Sequence, residues 1–287
     1  MNLRIPGPTP LPDEVLQASG KQMVDHRGPE FKAMFDRITS GLKEMFQTKN
    51  DVLILSSSGT GSMEAAIANT LSAGDRVLAV SIGEFGERFA AIATAFGANV
   101  TKLNFPMGTH ATPEGVREAL AKDPSFKAVL ITHNETSTGI TNDLGPIAAV
   151  VKGEFNKLLI VDGISSVGSI ECKTDEWKLD VVLSGSQKGW MAAPGLAFVA
   201  MSPTAWEANK TSKMPKYYFD LAKAKVSADN KETPWTPAMS VFYALDKGVE
   251  ILKKEGYQNV YKRHAELSAK TRNGLKALGL KMVATED

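Results

Sequence analysis

Apolar residues between positions 29 and 201 alternate between two spacings. Short strand-like runs, most of them rich in Val, Ile and Leu, occur at 51–57, 75–81, 99–105, 127–133, 157–163, 180–186 and 195–201. Apolar residues at helical spacing predict helices at 29–46, 62–71, 86–97, 112–122 and 145–154. Continuous strands that alternate with helices indicate an α/β fold, in which a mostly parallel sheet is covered by helices on both faces.

The two ends of the chain depart from this pattern. Four prolines in the first twelve residues predict an extended arm. After Met201, residues 202–235 show no clear strand, and two long helices are predicted at 236–256 and 260–279, followed by the opening of a strand at 280–287. We therefore expect an N-terminal arm (1–20), a large domain (21–245) and the start of a small, incomplete α+β domain (246–287).

Composition and charge narrow the class of protein. The 33 basic and 32 acidic residues give a formal net charge of +1, which argues against nucleic-acid or membrane-surface partners. The single cysteine, Cys172, cannot form an intramolecular disulfide. No signal-peptide core and no apolar run near the ~20 residues of a spanning helix is present. We therefore expect a cytoplasmic protein. The four histidines show no metal-ligand spacing, so no metal site is predicted.

Polar residues follow several of the predicted strands, where ligands bind in parallel sheets. Asp162 ends one strand and Lys188 follows the next. An amine reacts near neutral pH if its pKa is lowered or if it is already an imine, and a neighbouring carboxylate suits the protonated nitrogen of a pyridine ring. The local context leaves other roles open, because lone lysines are mostly solvated and an aspartate after a strand often caps a helix or turn.

The segment SSSGTGSMEAA (56–66) places glycines between a strand and a helix, where free N–H groups and the helix dipole attract anions. It is not a Walker A loop, because no Gly-Lys-Ser/Thr follows, and a dinucleotide fingerprint would need a small residue at Glu64. A plain strand-to-helix turn explains the segment equally well.

Five segments carry a resemblance that covers the whole chain. SGTGSMEAA, HNETSTG, the stretch from VDGISS to SGSQKG, APGLAFV and TPWTPAMSVFYAL occur in this order. Together they resemble the class V pyridoxal phosphate (PLP)-dependent aminotransferases of the serine–glyoxylate, alanine–glyoxylate and serine–pyruvate group. The resemblance implies PLP as cofactor, the PLP-transferase fold type I, and a homodimer with shared active sites. It also implies amino transfer between a small amino acid (serine or alanine) and a 2-oxo acid (glyoxylate or pyruvate).

The resemblance also implies roles for individual residues. Lys188 would form the imine with PLP, and Asp162 would pair with the pyridine nitrogen. The ring would be covered by Phe85 and Ile164, with Thr136 near its hydroxyl. The phosphate would be bound by Ser58, Gly59, Thr60 and Gln187, and by Thr236 reaching across to the neighbouring subunit. Gly7 and Arg27 would approach the substrate.

Some positions depart from the family pattern. Asn134 replaces a common glycine, Thr233 stands where some members have a tyrosine, and no residue matches the C-terminal arginine that clamps the substrate carboxylate. The sequence is therefore either a fragment or holds its substrate differently. Another PLP-dependent reaction on the same fold, of lyase or desulfurase type, or a truncated non-catalytic homologue stays open. Cys172 is expected to be a bystander, which weighs against a desulfurase.

Overall fold

The computed structural model describes residues 3–284 and is built around a sheet of seven strands. The strands, in chain order, are β1 (Asp51–Ser57), β2 (Arg76–Ser81), β3 (Asn99–Asn104), β4 (Ala128–Thr132), β5 (Asn134–Glu135), β6 (Ile140–Thr141), β7 (Leu158–Asp162), β8 (Val181–Gly185) and β9 (Gly195–Met201). The main sheet has the order β1-β9-β8-β7-β4-β2-β3, and β5 and β6 form a separate hairpin.

Ten α-helices surround the sheet within residues 3–284. They are α1 (Asp13–Ser19), α2 (Pro29–Phe46), α3 (Gly59–Thr70), α4 (Glu84–Ala95), α5 (Pro113–Lys122), α6 (Leu144–Ala148), α7 (Pro203–Thr211), α8 (Leu221–Asp229), α9 (Met239–Glu255) and α10 (Tyr257–Ala277). The helix α5 begins as its sequence predicts, because Thr112 Oγ1 accepts a hydrogen bond from the Gly115 N–H and Pro113 occupies the first turn. None of the helices in this range combines the length and apolar character needed to cross a bilayer.

Both faces of the sheet are buried, as the continuous apolar strands predict. Alternate residues of β1 point to opposite cores: Val52 and Ile54 pack with α2 and α9, whereas Leu53 and Leu55 pack with α3 and α4. This alternation follows from the two-residue repeat of a strand. The predicted α/β fold with a mostly parallel, helix-covered sheet is confirmed.

One strand of the main sheet runs against the others. The strand β9 pairs antiparallel with both β1 and β8, whereas the pairs β7–β8, β4–β7, β2–β4 and β2–β3 are parallel. The carboxyl ends of β1, β2, β4, β7 and β8 consequently lie along one edge. The loops that follow these five strands contain the polar segments singled out in the sequence.

Several local predictions need correction. The described part of the first twelve residues (3–12) contains no helix, but α1, which was not predicted, follows it directly and buries Val15 and Ala18. The predicted helix 145–154 is α-helical only to Ala148 and continues as a π-helical turn, and residues 202–235 contain α7 and α8. Residues 280–284 form no strand, so that prediction is wrong there, and its remainder lies outside the described residues. The expected domain boundary at 245 falls inside α9.

Candidate active site

Asp162 is the last residue of β7 and lies at the centre of the loop-bearing edge. Its backbone is fixed from both sides, because it stands opposite Thr132 of β4 and Leu183 of β8. The side chain is only 3% exposed, and its Oδ1 atom accepts a hydrogen bond of 2.9 Å from the Ile164 N–H. Burial raises the pKa of the Asp162 carboxyl to about 7, although the Ile164 N–H opposes this shift. A buried carboxylate in this state calls for a cationic partner.

Lys188 lies in the loop after β8, and β8 is the neighbour of β7, the strand that ends at Asp162. Its Nζ atom donates a hydrogen bond of 3.1 Å to the backbone oxygen of Pro6. Burial lowers the pKa of the Lys188 amine, and the negative charge of Asp162 acts in the opposite direction. The loop is anchored by Ser186, whose Oγ atom donates to the Ala193 carbonyl at 2.6 Å. The structure therefore brings the predicted amine and carboxylate into one electrostatically coupled site.

The N-terminal arm closes over the loop that carries Lys188. The Thr9 N–H donates to the Gln187 carbonyl at 3.1 Å. A Cβ atom placed on Gly7 would lie 2.5 Å from Lys188 Nζ, so Gly7 is in direct contact with the amine. Arg27 is placed differently: its exposed guanidinium pairs with Glu232 rather than with a residue of this site. Gly7 thus joins the site, and Arg27 does not contact it in this arrangement.

The start of α3 meets the same loop. Ser58 is the N-cap of α3, but its side chain makes no capping hydrogen bond. A Cβ atom on Gly185 would lie 3.6 Å from the Gly59 backbone nitrogen and 3.1 Å from Gln187 Oε1. The buried Gln187 Oε1 has no hydrogen-bond partner among the described residues. The first turn of α3, with Thr60, offers backbone N–H groups that suit an anion. The Gln187 amide can join them only through its Nε2 donor, because Oε1 is an acceptor.

The three predicted ring contacts, Ile164, Phe85 and Thr136, lie in three different loops. The loops of Phe85 and Thr136 follow β2 and β4, on the side of β7 opposite to β8 and Lys188. Ile164 lies against Gly59, because a Cβ there would approach Ile164 Cδ1 to 2.7 Å. Phe85 is half-buried at the start of α4, and the Arg88 guanidinium lies 4.6 Å from its ring centroid. Thr136 is half-buried in the β5–β6 hairpin, next to Glu135.

Thr236 lies apart from this cluster. It is exposed, and its side chain makes no hydrogen bond within residues 3–284. Two residues further on, the Ala238 N–H donates to Ser56 Oγ at 3.2 Å, which holds the segment near the carboxyl end of β1. Thr236 is therefore presented outward at the sheet edge that bears the site.

His133 follows β4 and lies beside Asp162. Its backbone N–H donates to the Asp162 carbonyl at 2.8 Å, and its ring packs edge-on against Trp177. Burial lowers the pKa of His133 to about 4, so the ring is neutral at physiological pH. A neutral, enclosed ring fits a structural role.

Glu135 is a site residue that the sequence reasoning passed over. It is fully buried, and its carboxylate accepts hydrogen bonds from the backbone N–H groups of Phe85 and Gly86. The available signal was an acidic residue inside HNETSTG, the polar loop after a buried strand. Its partners are about fifty positions away in the chain, so local sequence does not reveal them.

Comparison with known proteins decides the family. Residues 2–286 match the family described as Aminotransferase class-V. The chain belongs to the class-V aminotransferases. It is 37% identical to the serine–glyoxylate aminotransferase of Methylorubrum extorquens, over 99% of this chain and 73% of that protein. It is also 46% identical to a Synechococcus protein named soluble hydrogenase, small subunit, over 99% of this chain and 74% of the relative.

A solved structure agrees with this assignment. The alanine–glyoxylate aminotransferase from Nostoc superposes with a TM-score of 0.90 at 33% identity, covering 96% of this chain and 74% of that one. The fold is accordingly fold type I of the PLP-dependent enzymes, and this class-V aminotransferase is a PLP-dependent transferase.

The residues of the class-V aminotransferase site fit pyridoxal phosphate. The Ile164 N–H engages Oδ1 of the buried Asp162 carboxyl, which leaves Oδ2 to accept from a cationic ring nitrogen. The uncapped start of α3 offers N–H donors to a phosphate, and Gln187 offers its Nε2 group. Lys188 supplies an amine with a lowered pKa on the same edge. Each polar end of the cofactor thus has a matching group.

Proposed function

We propose that this chain transfers amino groups between serine or alanine and glyoxylate or pyruvate, with Lys188 and Asp162 as its catalytic residues. The observation that carries the proposal is the half-buried Lys188 amine, electrostatically coupled to the buried Asp162 carboxyl on the neighbouring strand. The glyoxylate aminotransferases among the relatives support this choice of substrates. The two charged groups come from adjacent parallel strands, so the sheet itself sets their separation.

Asp162 holds a proton on the cofactor. When bound, pyridoxal phosphate supplies an aldehyde that bonds to amines and a protonated ring that withdraws electrons from the Cα–H bond of an amino acid. The Asp162 carboxylate would accept a hydrogen bond from the ring nitrogen and keep that nitrogen protonated. A cation at this place also favours the ionised carboxylate, which burial alone disfavours.

Lys188 has two tasks. Its Nζ atom would hold the cofactor aldehyde in the resting enzyme. As a free amine it would accept the proton from the Cα atom of a bound amino acid and return it in the second half of the transfer. A lowered pKa favours the neutral amine, which is the form able to accept that proton. The Pro6 carbonyl accepts one Nζ–H and thereby orients the amine.

The remaining residues bind and orient. We assign the phosphate to the side chains of Ser58 and Gln187 and to the first turn of α3, at Gly59 and Thr60, where the helix dipole favours an anion. We assign the two ring faces to Phe85 and Ile164 and the ring hydroxyl to Thr136. Gly7 and Arg27 are assigned to the substrate side, and Arg27 would have to leave Glu232 to act there.

Thr236 supports a proposed homodimer. Because its exposed side chain lies at the site-bearing edge, we assign it to the phosphate held by a neighbouring subunit. Sedimentation equilibrium of the PLP-bound protein tests this directly. Twice the chain mass is expected, and a monomer at concentrations where PLP is fully bound would refute shared sites. A cytoplasmic location and the small domain over 246–287 stay predictions.

One feature favours transamination over a desulfurase reaction. Cys172 is buried, and burial raises the pKa of its thiol to about 12, so it is not a reactive thiolate. The amine–carboxylate arrangement also favours the reaction of the glyoxylate aminotransferases over the activity named for the Synechococcus relative, since both groups suit PLP chemistry.

The half-reaction with an amino acid alone tests the proposal. PLP-loaded protein is mixed with serine or alanine without any keto acid. One equivalent of the corresponding keto acid per site is expected, with loss of the aldehyde absorbance and its recovery when glyoxylate is added. Continuous release of ammonia without recovery would instead identify a lyase, and no change with either amino acid would refute the proposed substrates.

A further inference from the structure

Glu135 is a fully buried carboxylate held by hydrogen bonds alone. Its Oε2 atom accepts from the N–H groups of Phe85 at 3.0 Å and Gly86 at 3.2 Å. Its Oε1 atom accepts from the N–H of Ser137 at 3.1 Å and from its hydroxyl at 2.7 Å. No lysine, arginine or histidine in residues 3–284 forms an ion pair with it. Burying an unpaired charge is costly, so this arrangement must stabilise something specific.

Two of the four hydrogen bonds join two loops of the site. Glu135 lies in the loop after β4, whereas Phe85 and Gly86 form the first turn of α4, after β2. The first N–H groups of a helix have no partner inside the helix, and its dipole favours a negative charge there. Glu135 satisfies two of these N–H groups, and Ser137 Oγ accepts from a third, that of Glu84, at 3.2 Å. The β5–β6 hairpin thus caps α4 from outside.

The packing around this junction is tight. A Cβ atom on Gly83 would lie 2.6 Å from both Glu135 Cγ and Ser137 Oγ. A Cβ on Gly86 would lie 2.8 Å from the Ser81 backbone. Glycine at position 83 therefore lets the hairpin approach the start of α4 closely, and glycine at position 86 lets α4 approach the end of β2.

Each loop carries one of the residues assigned to the cofactor ring. Phe85 is the residue whose backbone Glu135 holds, and Thr136 follows Glu135 directly. The Arg88 guanidinium covers one face of the Phe85 ring, which leaves the other face for the cofactor. The negative charge of Glu135 also raises the pKa of Asp162, so the junction lies within electrostatic reach of the catalytic carboxylate.

We propose that Glu135 is a positioning residue for the cofactor: by capping α4 it holds the Phe85 ring, relative to the hairpin that carries Thr136, at the separation that the pyridine ring requires. This inference rests on the proposed function, because it takes Phe85 and Thr136 as ring contacts. Glu135 itself touches neither cofactor nor substrate.

The test is the affinity of Glu135→Gln for PLP. Glutamine has the same size as glutamate, but its side chain replaces one of the two acceptor oxygens by an NH₂ group. Each carboxylate oxygen accepts from two donors, so one of these two pairs of donors loses its acceptor. The dissociation constant for PLP, measured by absorbance titration, is expected to rise about tenfold. Glu87→Gln is the matched control, because Glu87 lies in the same first turn and pairs with Lys102 at the surface. Its affinity should stay within about twofold of the parent.

A double-mutant cycle with Phe85→Ala separates positioning from general destabilisation. If Glu135 acts through Phe85, adding Glu135→Gln to the Phe85→Ala protein should change the PLP dissociation constant by less than about twofold. The loss of unfolding stability should be the same in both backgrounds. A tenfold effect of Glu135→Gln on the PLP dissociation constant that persists without the Phe85 ring would overturn the proposal. An unchanged PLP affinity in either single variant, Phe85→Ala or Glu135→Gln, would overturn it as well.

Ser137→Ala provides a milder variant should Glu135→Gln fail to fold. It removes one donor to Glu135 and the acceptor of the Glu84 N–H, and about a threefold weaker affinity is expected, again only when Phe85 is present. An unchanged affinity would count against positioning. The parent protein distinguishes a failure of the proposed function from a failure of the positioning role. If the parent fails the half-reaction, the proposed function is wrong. If the parent is active and Glu135→Gln binds PLP equally well, only the positioning role is refuted.

Discussion

Lys188 Nζ lies 3.1 Å from the backbone oxygen of Pro6, so the arm at the start of the chain holds the amine that follows the eighth strand. The same arm is tied to the loop by the hydrogen bond from the Thr9 N–H to the Gln187 carbonyl. The amine is thus oriented by two segments that are far apart in the chain. Its position depends on both segments being folded.

Replacing Lys188 by alanine should abolish turnover. Removing the proton-transferring amine is expected to slow the half-reaction with serine or alanine by at least ~10²–10⁴-fold, because a positioned general acid–base contributes about that much. Rapid-mixing measurement of keto acid release checks this. Lys157→Ala is a matched control, since Lys157 Nζ also donates to a proline carbonyl, that of Pro124 at 2.6 Å, away from the site. A Lys188→Ala protein with more than about a tenth of the parent rate would contradict the assignment.

Asp162→Asn should change how stability depends on pH. The folded pKa of about 7 lies above the ordinary value of 3.8, so the protonated carboxyl stabilises the cofactor-free fold. That contribution is complete below about pH 4 and is lost as pH rises towards 7. Relative to Asp162→Asn, the cofactor-free parent should therefore lose about 2–3 kcal/mol of unfolding free energy between about pH 5 and pH 8. Urea unfolding at both pH values measures this difference, and parallel profiles for the two proteins would refute the raised pKa.

Gln187→Met should affect stability and binding in opposite directions. The buried Oε1 atom has no hydrogen-bond partner within residues 3–284, so an apolar side chain of similar size removes an unsatisfied group. The cofactor-free protein should be unchanged or up to about 1 kcal/mol more stable, while PLP affinity falls about tenfold through loss of a phosphate donor.

Gln17→Met, at an exposed position of α1, is the control for Gln187→Met and should leave both quantities unchanged. Chemical unfolding and PLP titration of the same preparations give the two results. A Gln187→Met protein that is clearly less stable without PLP, or that binds PLP as tightly as the parent, would show that the amide does not face the phosphate.

The sequence predicts the layout of this fold better than the direction of its strands. The apolar runs of β7 and β8 indicate strands buried on both faces, and parallel strands bring their following residues, Asp162 and Lys188, to one edge. The run GLAFVAM has the same signature, yet β9 is antiparallel, because the direction of a fully buried strand leaves no mark on its composition. The helix α1 was missed since it has only seven residues and directly follows Pro12.

Within the site, the sequence identifies residues whose role depends on strand ends and misses those that depend on distant contacts. Pro6 is 182 positions from Lys188, and Glu135 is 50 positions from Phe85. Neither contact follows from a local period or turn preference. Both use a backbone group, the Pro6 carbonyl and the Phe85 N–H, whose availability is set only when the chain has folded.

The most direct test of the account is to locate the covalent attachment of the cofactor. PLP-loaded protein is treated with borohydride, which makes the bond between the aldehyde and its amine permanent, and is then digested and analysed by mass spectrometry. We expect one pyridoxyl phosphate per chain, on the peptide that contains Lys188, and none in Lys188→Ala. Stoichiometric label on a different lysine, or no label on a protein that carries out the half-reaction, would contradict the central claim.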